Sequence, residues 1–121
     1  MRAYKNQPLR ARLGFALRGF AHGFTTEASL RLQAALGLAT LIGLVLLRPA
    51  AVWWALVLLA SATVLAAELF NTAIEQLADE LGREDSAGIR IVKDCAAGAV
   101  LIAALGALGV AVSLVVHLLN S

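Results

Sequence analysis

Apolar residues run almost without break through three stretches of this chain, at about 30–47, 50–79 and 93–119. Crossing the hydrocarbon of a bilayer takes about 20 mostly apolar helical residues. Each stretch therefore predicts a transmembrane helix. Ahead of them, residues 8–24 set Leu9, Leu13, Leu17, Phe20 and Phe24 at three- and four-residue spacing, with Arg10, Arg12 and Arg18 off that stripe. This pattern predicts an amphipathic helix lying on the membrane surface. Thr25-Thr26-Glu27 then reads as the start of the next helix, with Thr as cap and an acid in the first turn. The expected fold is all-α: one membrane-embedded domain over residues 1–121, with a surface helix and three spans.

Composition agrees with that pattern. The chain has 121 residues, 60% of them hydrophobic, and a soluble protein of this size could not cover three such segments. Ala35, Ala39 and Gly43 in the first span, and Ala99, Ala103, Ala107 and Ala111 in the third, recur every four residues. Small residues on that period let helices approach closely in lipid. The first thirty residues lack the apolar core of a cleavable leader. Cys95, the single cysteine, excludes an intramolecular disulfide.

Charge sets the orientation. Arg2, Lys5, Arg10, Arg12, Arg18 and Arg31 precede or open the first span, only Arg48 lies between spans one and two, and Arg83, Arg90 and Lys93 lie between spans two and three. The positive-inside rule places the N-terminus and the second loop in the cytoplasm. A net charge of +2, with its cations at the membrane edge, gives no ground for nucleic-acid binding.

The uncharged run Ala50–Ala67 ends at Glu68, and Asn71, Glu75 and Asp79 follow. At about 100° per residue these four share a stripe about 80° wide. A carboxylate at the hydrocarbon edge costs several kcal/mol, so it is kept for function. Glu27, Glu80, Glu84, Asp85 and Asp94 fall at the same membrane face, the one that ATP can reach. Magnesium takes one or two carboxylates and leaves its other positions to water and phosphate. Phosphoryl transfer also needs a cation on the phosphates and a base beside the attacking hydroxyl. Glu27 and Glu75 suit the metal, Lys93 the phosphate, and Glu68, the deepest acid, a lipid alcohol. Asp79, Glu80 and Asp85 read as interfacial charges, and His22 and His117 as interfacial side chains. Neither a G-x-x-x-x-G-K-[ST] loop nor the protein-kinase motifs occur.

The stretch Glu68-Leu69-Phe70-Asn71-Thr72-Ala73-Ile74-Glu75-Gln76-Leu77-Ala78-Asp79 resembles the E-x-x-N-[ST]-A-[IV]-E-x-x-x-D signature of the prokaryotic diacylglycerol kinase family. Lys93-Asp94-Cys95-Ala96-Ala97-Gly98-Ala99-Val100 is similar to its second block. The resemblance implies a small inner-membrane lipid kinase, homotrimeric, with active sites shared between subunits and MgATP as phosphate donor. It implies Glu68 as proton acceptor for the lipid hydroxyl, and Glu27 and Glu75 as metal ligands. Asn71, Lys93, Asp94 and Glu84 then belong to the nucleotide side.

Departures bear on the substrate. Glu84-Asp85-Ser86 stands where the enterobacterial pattern has Glu-Tyr-His, Phe15 where it has Tyr, Gln33 where it has Glu, and Ala97 where it has Ser. The second block looks closer to undecaprenol kinases, whereas the first fits both subgroups. Diacylglycerol is the favoured substrate and undecaprenol the alternative. A small multidrug-type transporter is the rival from another class. It would have four spans and a mid-membrane acid, against three spans and acids at one edge. A non-catalytic assembly subunit would leave the polar stripe without a purpose.

Overall fold

A computed structural model describes residues 6–82 and 86–121. Four helices follow in order: α1 (Leu9–Thr26), α2 (Ala28–Leu47), α3 (Ala51–Leu81) and α4 (Ala87–Leu119). Three of them, α2, α3 and α4, are long and apolar enough to cross a membrane. With 31 and 33 residues, α3 and α4 rise about 46 and 50 Å, well beyond a hydrocarbon core of about 30 Å. Their surplus length carries the polar residues.

The breaks between helices follow from local chemistry. Proline fixes its own φ and disfavours a helical residue before it. Arg48, just before Pro49, closes α2 in a left-handed conformation (φ 50°), its N–H donating to the Leu44 carbonyl at 2.9 Å. Gly82, at φ 64°, closes α3 in the conformation glycine adopts without a Cβ penalty. Ser86 caps α4, its hydroxyl oxygen accepting from the Ile89 N–H at 3.4 Å.

The α1–α2 elbow differs from the reading of the sequence. Thr25 and Thr26 end α1 instead of starting α2, because both hydroxyls donate back to the His22 carbonyl, at 2.9 and 2.8 Å. The break is Glu27, extended at φ −116° and ψ 113°, which closes α1 and opens α2 together. Arg31 Nη1 reaches back to the carbonyls of Phe24 and Thr25, at 2.8 and 3.2 Å, satisfying oxygens that the end of α1 would leave unpaired.

Helix α3 is the centre of the bundle. Both α2 and α4 pack along it rather than on one another, and α1 touches α2 and α3 beside Leu69. At the opposite end Leu44, Val57 and Leu114 form a buried cluster flanked by Trp53, Trp54 and Leu118. There the His117 ring lies 5.3 Å from that of Trp53. The α2–α3 contact departs from the small-residue stripe seen in the sequence. Ala35 and Ala39 are exposed, and the close approach is made by Gly37 against Ser61. Between 6 and 17% of the most apolar stretch of each span is buried within the chain, so lipid or other subunits must cover the rest.

Candidate active site

Glu68 lies seventeen residues along α3 from Ala51, about 26 Å of helix, nearly the 30 Å or so that a bilayer's hydrocarbon core measures. Its residue is 6% exposed, so it is held inside the chain rather than facing lipid. The α3 side chains on this face are Val57, Val64, Glu68 and Thr72, all buried. Spacings of seven, four and four residues keep them on one side of a helix. One turn on, Glu75 is half-buried, as is Asn71. Asn71 Nδ2 donates to Glu75 Oε1 at 2.8 Å, an i, i+4 contact that engages one carboxylate oxygen and not the other.

Glu27 reaches this stripe from the elbow. Gly37 faces Ser61, and counting back along α2 puts Glu27 about level with Asn71 and Thr72, between the two α3 carboxylates. The charges of both Glu27 and Glu75 act on the Glu68 carboxylate. Although Glu27 occupies the N-cap position of α2, its side chain makes no cap hydrogen bond, so the carboxylate is not used up by the helix end. The positive end of the α2 dipole beside it offsets part of the accumulated negative charge.

Gly23 makes the elbow's approach possible. A Cβ built there would stand 2.8 Å from Leu69 Cδ2 and 3.0 Å from Leu30 Cδ2, closer than side-chain atoms normally come. Leu30 is itself fully buried. The missing side chain is therefore what lets α1 lie against α3 beside Glu68. Neither Gly23 nor Thr72 is singled out by the sequence reading. Thr72 lies four residues after Glu68 on the same face, and its Oγ1 donates to the Glu68 carbonyl at 3.0 Å. That i, i+4 spacing from the buried acid is a signal that could have found Thr72. No sequence signal marks Gly23, because its neighbours come from other helices.

The cationic side is arranged differently. Lys93 Nζ lies 4.0 Å from Asp79 Oδ1, both side chains partly exposed, at 36% and 57%. Asp79 is thus tied to α4 at the height of Lys93. Val57 beside Leu114 and Asp79 beside Lys93 show that α3 and α4 keep one antiparallel register over about six turns. That register places Lys93 about one turn beyond Glu75, toward the C-terminal end of α3. Asp94 is exposed on the surface of this single chain and is not brought to the carboxylates. Glu84 lies outside the described residues. The structure thus gathers Glu27, Glu68, Asn71 and Glu75, sets Lys93 just beyond them, and leaves Asp94 apart.

Among the described residues, no group of three or more His, Cys, Asp or Glu side chains could hold a metal ion. Two carboxylates with open oxygens are what magnesium takes when phosphate and water fill its remaining positions. Glu27 and the free oxygen of Glu75 fit that demand: hard, anionic, and without a cationic partner among the described residues.

The family model described as prokaryotic diacylglycerol kinase matches residues 14–115, from within α1 almost to the end of α4. A protein named diacylglycerol kinase from Synechocystis sp. is 37% identical over 94 residues, which are 77% of this chain. The chain spans only about half of that relative, 54% of its length.

Proposed function

The chain belongs to the prokaryotic diacylglycerol kinase family, and we propose that it transfers the γ-phosphate of MgATP to the hydroxyl of a membrane lipid, diacylglycerol in preference to undecaprenol. The observation that carries this reading is the buried Glu68 far along α3, with Glu27 and Glu75 near enough for their charges to act on it; in this reading it sits at the hydrocarbon edge and they on its cytoplasmic side. No packing or capping need explains a carboxylate there. A lipid hydroxyl that never leaves the bilayer can reach it, and a nucleotide in the cytoplasm can reach its neighbours.

Glu68 accepts the proton of the lipid hydroxyl as that oxygen bonds to the γ-phosphorus and the bond to the ADP oxygen breaks. Glu27 and Glu75 would hold magnesium, which would supply charge neutralisation on the phosphates when bound. Asn71 keeps Glu75 in the orientation this needs. Lys93 exchanges Asp79 for phosphate oxygens when nucleotide enters, and Asp94 and Glu84 belong to the nucleotide side. The preference for diacylglycerol rests on the motif resemblance and on the name of the Synechocystis relative.

In this reading the active unit is a homotrimer in the bacterial inner membrane, with α1 on the cytoplasmic surface. Two features support it. The spans leave most of their apolar surface uncovered, and exposed Asp94 could meet a nucleotide only where a second subunit adds a wall. The test offers purified protein in bicelles γ-labelled ATP with diacylglycerol and undecaprenol side by side. Label in phosphatidic acid, well above label in undecaprenyl phosphate, is the expected result. The opposite preference would move the assignment to a polyprenol kinase. No lipid-dependent label would remove it.

A further inference from the structure

Helix α1 ends and α2 begins on the same residue, Glu27, so its one pair of extended torsions sets the angle between them. Its N–H donates to the Gly23 carbonyl at 2.8 Å, and its carbonyl accepts from the Arg31 N–H at 3.3 Å. The backbone of Glu27 is thus the last link of one helix and the first of the next. Two torsions on one residue make a soft joint. A swing about them carries the Glu27 carboxylate with it, because no cap hydrogen bond ties that side chain to α2.

Packing closes the joint on its inner face, where the fully buried Leu30 and Leu69 crowd Gly23. The exposed side is crossed by the Arg31 side chain. Helical side chains lean toward the N-terminus of their helix, so from the first turns of α2 the guanidinium falls back over the elbow. Nη1 divides its bonds between the Phe24 and Thr25 carbonyls, at 2.8 and 3.2 Å. In an unbroken helix those oxygens would receive the N–H groups of residues 28 and 29. The break at Glu27 removes these partners, and a charged donor, whose hydrogen bonds are roughly twice as strong as neutral ones, takes their place. Both bonds span the joint. A snorkelling anchor would send its charge outward to the headgroups. A countercharge would meet a carboxylate, yet among the described residues Arg31 forms no ion pair.

We infer that Arg31 is a positioning residue: by clamping the last turn of α1 to the start of α2, it holds the Glu27 carboxylate beside the α3 stripe, where Glu75 can share a metal ion with it. The inference rests on the kinase reading above. Glu75 has Asn71 as its guide. Arg31 is the matching guide for Glu27, acting through the backbone instead of on the carboxylate.

The test compares wild type with Arg31→Met, which keeps much of the apolar stem and removes the donors. Losing the clamp should raise the magnesium concentration for half-maximal lipid phosphorylation about fivefold or more, the equivalent of one hydrogen bond. An unchanged magnesium titration overturns the role, since a merely structural arginine would lower stability alone. A KM for ATP or for diacylglycerol raised even at saturating magnesium also overturns it, because Arg31 would then touch a substrate itself. The elbow is read without turnover by spin labels at Leu17→Cys and Leu38→Cys in a Cys95→Ser background, one exposed site on each helix. Labelled chains are diluted into unlabelled ones, so that only distances within a chain count. A narrow distance distribution is expected with Arg31 present, and a broadened or shifted one in Arg31→Met. The same distribution in both contradicts the clamp. If Arg31→Met does not insert, Arg31→Lys takes its place, because its shorter, unforked donor is expected to move both readouts the same way but less. Both readouts unmoved in Arg31→Lys would overturn the role. Wild type that phosphorylates no lipid would sink the kinase reading, and the spin labels would still decide whether Arg31 holds the elbow.

Discussion

Asn71 donates a hydrogen bond to Glu75 across one turn of α3, 2.8 Å from Nδ2 to Oε1. The contact binds two members of the polar stripe to each other and gives the amide a task distinct from the acids. An amide at this position can orient a carboxylate without adding negative charge to three acids already in one another's field.

Replacing Asn71 by Ala should therefore act through metal binding. A hydrogen bond to a charged group contributes about 1.5–3 kcal/mol, so Asn71→Ala should raise the magnesium concentration for half-maximal activity about tenfold or more. A magnesium titration of lipid phosphorylation reads this directly. An unchanged titration with reduced maximal rate would mean that Asn71 serves elsewhere.

Gly23 offers a test of the elbow. A methyl group there meets Leu69 and Leu30 side chains at 2.8 and 3.0 Å. Overpacking of this kind costs about 1–3 kcal/mol. Gly23→Ala should sit at the low end, because leucine methyls can rotate, and Gly23→Val at the high end. Unfolding from mixed micelles should rank wild type, Ala, Val in falling stability, and Leu69→Ala should restore part of the loss. Equal stability of all three would mean that α1 does not lie against α3.

Much of this was legible in the sequence, for definable reasons. Helices of period 3.6 can be read from apolar spacing, and helices run over Leu9–Thr26, Ala28–Leu47, Ala51–Leu81 and Ala87–Leu119, the last starting before its apolar stretch. Glu68, Asn71 and Glu75 share a face by that period alone. Tertiary packing carries the rest. Thr25 and Thr26 suit a helix start or a last turn equally, and only the geometry of the His22 carbonyl decides. Gly37, not the Ala35–Ala39 stripe, meets α3, because the rotation of α2 about its axis is a matter of packing that spacing alone does not give. Asp79 reads as a plain interfacial charge until α4 brings Lys93 beside it.

That last pair separates structural from chemical effects. Partly exposed ion pairs contribute about 0–1 kcal/mol, so Asp79→Asn should leave thermal stability nearly unchanged. Lys93→Met removes the cation offered to phosphate. It should lower kcat/KM for ATP by a hundredfold or more while insertion and assembly persist. Steady-state kinetics at varied ATP for both variants decides between them. Equal losses in the two would mean that the pair, and not the lysine, is what matters.

The central claim is that Glu68 takes the proton from the lipid hydroxyl. The most direct measurement is transfer of labelled γ-phosphate to diacylglycerol by purified wild type and Glu68→Gln, in the same bicelles at saturating ATP and magnesium. The substitution keeps shape and removes only the basic oxygen. The account predicts a rate at least a thousandfold lower for Glu68→Gln, with cross-linked oligomers and magnesium-nucleotide binding as in wild type. Turnover within a few-fold of wild type would contradict it.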